Sequence, residues 1–142
     1  MTLGEADRAA YLLSEALGLW RGEPFIDLEE WQPAAAQVRR LRELRLEAEE
    51  LRVEAHLRAG RHREVLAEAQ GLVRAAPLRE RRWAQLALAE YKAGNQGEAL
   101  RVIHQLKSVL LQQLGIDPGP DVMALEQAIF RQDESLMVAT RG

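Results

Sequence analysis

Gly60 and Gly94 stand 34 residues apart, and the residues around them match at the same interval. Ala55 pairs with Ala89, Ala59 with Ala93, Glu64 with Glu98, Leu66 with Leu100 and Leu72 with Leu106. An internal period of about 20–50 residues confines a chain to repeat architectures, in which each unit is one supersecondary element. Within a unit, glycine allows the sharp reversal between two helices. A small side chain then lets the helices approach, and Ala99 and the bulkier Val65 occupy that place. A single helical hairpin cannot bury its own apolar face, so such units must stack.

The rest of the chain also reads as helix. Ala, Leu, Glu and Arg dominate, all good helix formers, and apolar residues recur every three or four positions rather than alternating. A first helix is expected over 4–19, with Ala9, Leu12, Ala16 and Leu19 as its stripe. Gly22 and Pro24 interrupt it, and Pro33 opens the next. Trp20, Phe25 and Trp31 gather in the intervening loop. They suit a small satellite core; exposed, they would instead anchor a partner. A long second helix over 33–59 places Val38, Leu41, Leu44, Ala48, Leu51 and Ala55 on one face and ends at Gly60. A third over 61–75 turns Val65, Leu66, Ala69, Leu72 and Val73 inward. After Pro77, a fourth over 78–93 carries Trp83, Leu86, Ala87 and Tyr91. Asn95 and Glu98 fit a capping-box arrangement that starts a fifth helix, running to Leu114 with Ala99, Leu100, Ile103, Leu106 and Leu110 inward. Gly115 closes it, and the turn over 116–120 leads to a last helix over 121–132 that buries Val122, Leu125, Ile129 and Phe130. The tail from Ser135 to Gly142 is expected to be loose.

Thirty-four residues is the period of the tetratricopeptide repeat. Pro77 falls between units and Trp83 on the first helix of the second, as in that repeat. The expected fold is all-α: a right-handed tetratricopeptide-like stack of antiparallel helix pairs, about six to seven helices in all. It forms one domain over 1–142, with 136–142 as its loose end. The concave face of such a stack suits peptides or helices rather than small substrates, unless the chain's own flanking segments fill it.

A length of 142 residues matches one domain, and 47% hydrophobic residues exclude compositional disorder. The net charge of −3 lacks the clustered basic excess of a nucleic-acid footprint. Two local basic clusters exist, Arg39, Arg40, Arg42 and Arg45, and Arg79, Arg81 and Arg82, but Glu43, Glu47 and Glu80 dilute them. Cysteine is absent, which removes disulfides and thiolate metal sites and fits a reducing compartment. Glu5, Asp7 and Glu15 near the start, with no basic n-region, exclude a signal peptide. No apolar run reaches the ~20 residues that cross a bilayer, so no membrane association and a cytoplasmic location are expected.

Catalytic patterns are missing. The histidines are His56, His62 and His104, without a His-Glu-x-x-His pair. His56 and His62 flank the Gly60 turn and offer at most a two-ligand site. No Gly-x-Ser-x-Gly is present, and Gly115 and Gly119 are not followed by Lys-Ser or Lys-Thr. Glu43 with Glu47 and Glu50 with Glu54 repeat like charges at i,i+4, which reads as solvated faces rather than a tuned dyad. The expectation is therefore no enzyme, no catalytic, cofactor-binding or metal-binding residue, no cofactor and no small-molecule substrate.

A series of motifs resembles the bacterial transcriptional activator domain found in SARP-type antibiotic regulators. It comprises Leu19-Trp-Arg-Gly22 with Pro24, Trp31, Arg40-Leu-Arg-Glu-Leu-Arg-Leu46, Pro77-Leu-Arg-Glu80, Tyr91-Lys-Ala-Gly94 with Glu98-Ala-Leu100, and Leu114-Gly-Ile-Asp-Pro-Gly-Pro120. The series spans about Ala9 to Leu136. Where the family often has Glu before the Leu-Gly, this chain has Gln113. The resemblance implies a tetratricopeptide-like domain that follows a winged helix-turn-helix domain. The winged helix binds promoter DNA, and the helical domain supports oligomerisation and activating contacts. Here the first residues already belong to the helical domain, so DNA contact is expected only through a separate winged-helix domain that this chain lacks. The expected function is the regulatory or activation domain of a bacterial transcription regulator. Its partner would be a protein: a second copy, RNA polymerase or a linked regulatory domain. A general tetratricopeptide-like adaptor with a non-transcriptional partner is the alternative.

Overall fold

The computed structural model describes residues 7–12 and 35–138. Residues 7–12 are helical. Six helices follow: α1 (Ala35–Arg58), α2 (His62–Ala75), α3 (Glu80–Lys92), α4 (Gln96–Leu114), α5 (Pro120–Phe130) and α6 (Ser135–Val138). From α1 to α5 each helix packs on the next in antiparallel fashion, α3 also touches both α1 and α5, and α6 rests on α3. This is the expected all-α, tetratricopeptide-like architecture.

The repeat spacing has its predicted cause. Gly60 and Gly94 adopt φ of 82° and 91°, a conformation strained for any residue with a Cβ. Both end the first helix of a hairpin. Ala55 and Ala89 are buried one turn before them, and Val65 and Ala99 one turn after. Between the hairpins, the Trp83 indole N–H donates to the Pro77 carbonyl at 2.8 Å. The linker is thereby tied to α3 while the ring, 7% exposed, fills the core. That core runs from Val53 and Leu57 through Val65, Ala69, Leu86, Ile103, Leu106 and Leu110 to Val122 and Ile129.

Five expectations need correction. The stripe assigned to α1 is split: Val38, Ala48 and Ala55 are buried, Leu41 is half-buried, and Leu44 and Leu51 are exposed. Glu50, Val53 and Leu57 make a second inward face roughly half a turn away from Ala48 and Ala55. Over 7–12, Ala10 is buried whereas Leu12 is exposed. The capping box does not form: Asn95 makes no side-chain cap bond, and its Nδ2 donates instead to Glu90 Oε1 at 3.1 Å. Phe130 is exposed, because the inward line of α5 is Val122, Glu126 and Ile129. The segment expected to be loose begins with α6, whose Leu136 packs on the core. Helix 4–19 beyond residues 7–12, and the loop aromatics Trp20, Phe25 and Trp31, lie outside the described residues.

Candidate functional site

Among the described residues, Glu90 and Glu126 are buried charges with partners in Asn95 and Lys107, and two further places of buried charge are built on α3. The first is at its N-terminal end. Glu50 of α1 is 1% exposed and faces Arg82, also 1% exposed. Arg82 Nε donates to Glu50 Oε2 at 2.7 Å. Its remaining nitrogens reach the Leu72 carbonyl at 2.9 Å and Glu49 Oε1 at 3.0 Å. Arg79 adds a two-bond contact to Glu50, Nε to Oε2 at 2.6 Å and Nη2 to Oε1 at 2.9 Å, and one to Glu43 at 3.1 Å. Gln85 caps the cluster by donating to the Glu50 carbonyl at 2.9 Å. Burial opposes the Glu50 charge, but the hydrogen bonds from Arg79 and Arg82 outweigh it and hold the carboxyl below its ordinary range. The arginine cluster 79–82 thus turns largely inward, and Glu50 lies on no solvated face. Every strong donor in this cluster has an acceptor.

The second place is a groove on the side where α1, α3 and α5 meet, with a cavity of about 230 Å³. From α1 come Glu54, Leu57 and Arg58. From α3 come Arg81, Ala84, Gln85, Leu88 and Lys92, whose spacing of three and four keeps them on one face. Leu125 closes the far wall from α5. The floor is apolar. Arg58 Nη2 and Arg81 Nη2 each lie 3.1 Å from Glu54, on its Oε1 and Oε2 respectively. Lys92 is 7% exposed. Its ammonium has no hydrogen bond or ion pair among the described residues. Burial, and then the charge of Arg58, push its pKa down to about 8.

Around the Gly60 turn, His56 Nδ1 accepts a hydrogen bond from Arg61 Nε at 2.9 Å. Burial, then Arg61 and Arg52, lower the His56 pKa. Burial, then Lys92 and Arg63, lower that of His62. His62 Nδ1 is buried without a partner among the described residues. Neighbouring arginines make this corner poor for a cation, and among the described residues no group of three or more His, Asp or Glu side chains is placed to hold a metal ion. His104 is exposed on α4. Among the described residues, no helix is long and apolar enough to cross a membrane.

Sequence reading missed Lys92 and the groove. A signal was available: Arg81, Gln85, Leu88 and Lys92 form a mixed polar and apolar line along α3, and Lys92 is one of only two lysines in an arginine-rich chain.

Known proteins share this architecture. The family described as the bacterial transcriptional activator domain matches residues 2–130. The regulatory protein DnrI of Streptomyces peucetius is 35% identical over 94% of this chain and 49% of its own length. The regulatory protein AfsR of Streptomyces griseus is 40% identical over 94% of this chain and 14% of its own length. A solved structure of Mycobacterium tuberculosis EmbR in complex with a low-affinity phosphopeptide superposes with a TM-score of 0.86 at 35% identity, covering 96% of this chain and 37% of that one. The chain therefore spans about half the length of DnrI and less of the others.

Proposed function

This chain belongs to the bacterial transcriptional activator domain family, and on that premise we propose that it is the regulatory domain of a transcription regulator and works through protein–protein contact. The observation that carries this reading is the match of nearly the whole chain to curated regulators. The helix pairs stack as in EmbR, and the open groove is supporting geometry. On this reading the partner is a second copy, RNA polymerase or a linked regulatory domain. DNA is contacted by a separate winged-helix domain of the longer regulator, and the protein works in the cytoplasm. The domain takes no cofactor and performs no reaction.

The test is a fusion of the domain to an unrelated DNA-binding module upstream of a reporter promoter, with site-specific photo-crosslinking in the same cells. Reporter activation together with crosslinks to polymerase or to a second copy is the expected result. An inert fusion without such crosslinks overturns the proposal.

A further inference from the structure

The groove along α1, α3 and α5 contains three cations and one carboxylate. Glu54 is already shared between Arg58 and Arg81. Lys92, which is 7% exposed, has no acceptor among the described residues. Holding an ammonium largely away from water without an anion is unfavourable. Its place in the last turn of α3, near the helix's negative end, offsets only part of that. The groups facing it do not help: Arg58 on α1 and His62 on α2 are cationic or neutral, and Arg58 repels it. At the other end of the same helix, by contrast, Arg82 is fully matched by carboxylates and carbonyls. Burial of a charge with no acceptor among the described residues, on a helix that satisfies another, points to a ligand.

We infer that this groove docks an acidic segment of a partner protein, with Lys92 as the buried anchor, Arg58 and Arg81 at the rim, and the Leu57, Leu88 and Leu125 floor taking an apolar side chain. This deepens the reading above and rests on it for the partner being a protein. Charge complementarity selects the segment. Three cations against Glu54, with Arg81 alone also reaching Glu50 at 4.0 Å, leave an excess that carboxylates fill. The cavity, about 230 Å³, is smaller than the roughly 300–1,000 Å³ that encloses a drug-sized ligand. It suits one or two side chains of a chain passing over it. No aromatic ring lines it for base stacking, which disfavours single-stranded nucleic acid.

The probe is a short fluorescein-labelled peptide with glutamates flanking a leucine pair, and its control carries glutamine in place of glutamate. Binding to this chain is read by anisotropy. The two lysines, Lys92 and Lys107, are reductively ¹³C-methylated and followed by NMR. Lys107 is held by Glu126 at 2.8 Å and serves as the internal reference. The expected result is that the glutamate peptide binds, moves the Lys92 signal and raises its pKa from about 8, while Lys107 stays still. Lys92→Met weakens binding about 10-fold or more and does not lower the melting temperature, as loss of a structural ion pair would. Arg81→Gln, at a 46% exposed side chain where folding is not at risk, weakens it by a smaller factor. Equal binding of the glutamine peptide, an unmoved Lys92 signal, or unchanged affinity in both variants overturns the inference. So does displacement of the peptide by inorganic phosphate or an oligonucleotide at lower concentration. A reporter fusion that stays active in both variants while peptide binding is absent would refute the groove alone and leave the proposed function standing.

Discussion

Arg82 and Lys92 are both buried cations on α3, and they are opposites. Arg82 finds an acceptor in each direction it points, from Glu50, Glu49 and the Leu72 carbonyl. Lys92 finds none among the described residues. Guanidinium suits the first role because its planar fork can satisfy several fixed acceptors at once. A compact ammonium on a flexible stem suits a site that must accept a charge from outside and release it again. The contrast separates charge used to define the fold from charge kept for recognition, although burial alone would rank the two alike.

The comparison breaks most readily at its saturated end. Glu50→Gln leaves Arg79 and Arg82 facing a neutral amide, and breaking one partner of a buried pair costs about 4 kcal/mol. Urea denaturation of the variant measures this, and a loss well under 1 kcal/mol would place the cluster among ornamental ion pairs. The same carboxyl sets an acid limit. Its pKa is depressed in the folded state, so its stabilisation is present above the ordinary value of 4.5 and is lost as pH falls through the folded value. Melting curves at decreasing pH should therefore converge for the native chain and Glu50→Gln. Trp83→Ala, which removes a packed ring and the bond to Pro77, should cost about 3 kcal/mol. It separates the packing of α3 from its electrostatics, because Lys92 should titrate unchanged if the variant stays folded.

At the open end the sign reverses. Lys92→Met should stabilise the free domain near neutral pH by on the order of 1–2 kcal/mol, since the ammonium's reach toward groove water screens part of the penalty. The folded pKa of about 8 lies below the ordinary 10.5. The penalty is thus full below about 8 and fades as pH rises toward 10.5, so the advantage of the methionine variant should shrink over that window. Differential scanning calorimetry of the pair checks it, and a destabilised variant would make Lys92 structural like Arg82. The smallest effect is expected at Arg101→Ala, whose exposed i,i+3 pair with Glu98 should contribute about 0.5 kcal/mol or less.

The helices and their order were legible because their signals are local. Gly60 and Gly94 end helices by backbone sterics, Pro77 separates the units, and Trp83 packs where a helical stripe puts it. The charge arrangement was not legible, because its signal is distant. Glu50 looked solvated beside Glu54, and the partners that make its burial tolerable stand 29 and 32 residues later. The face of α1 failed for a related reason: a pattern of threes and fours assumes one inward side, and this helix has two. Lys92 reads in sequence as an ordinary helix-ending lysine, since the groups that share its groove, Arg58 and Leu125, stand far from it in the chain.

Glu80 stands in the first turn of α3, and its Oε1 accepts the N–H of Gly119 at 2.7 Å. That bond joins residues 39 apart and ties α3 to the turn that starts α5. Chains emerge from the ribosome N-terminus first, so α3 and α4 can pair while Glu80 still faces solvent. The knot is drawn only when the Gly119 turn has left the exit tunnel. Until then the stack has no lock at its C-terminal side, and nascent chains stalled before Gly119 should be cut by protease more readily than those stalled just beyond it.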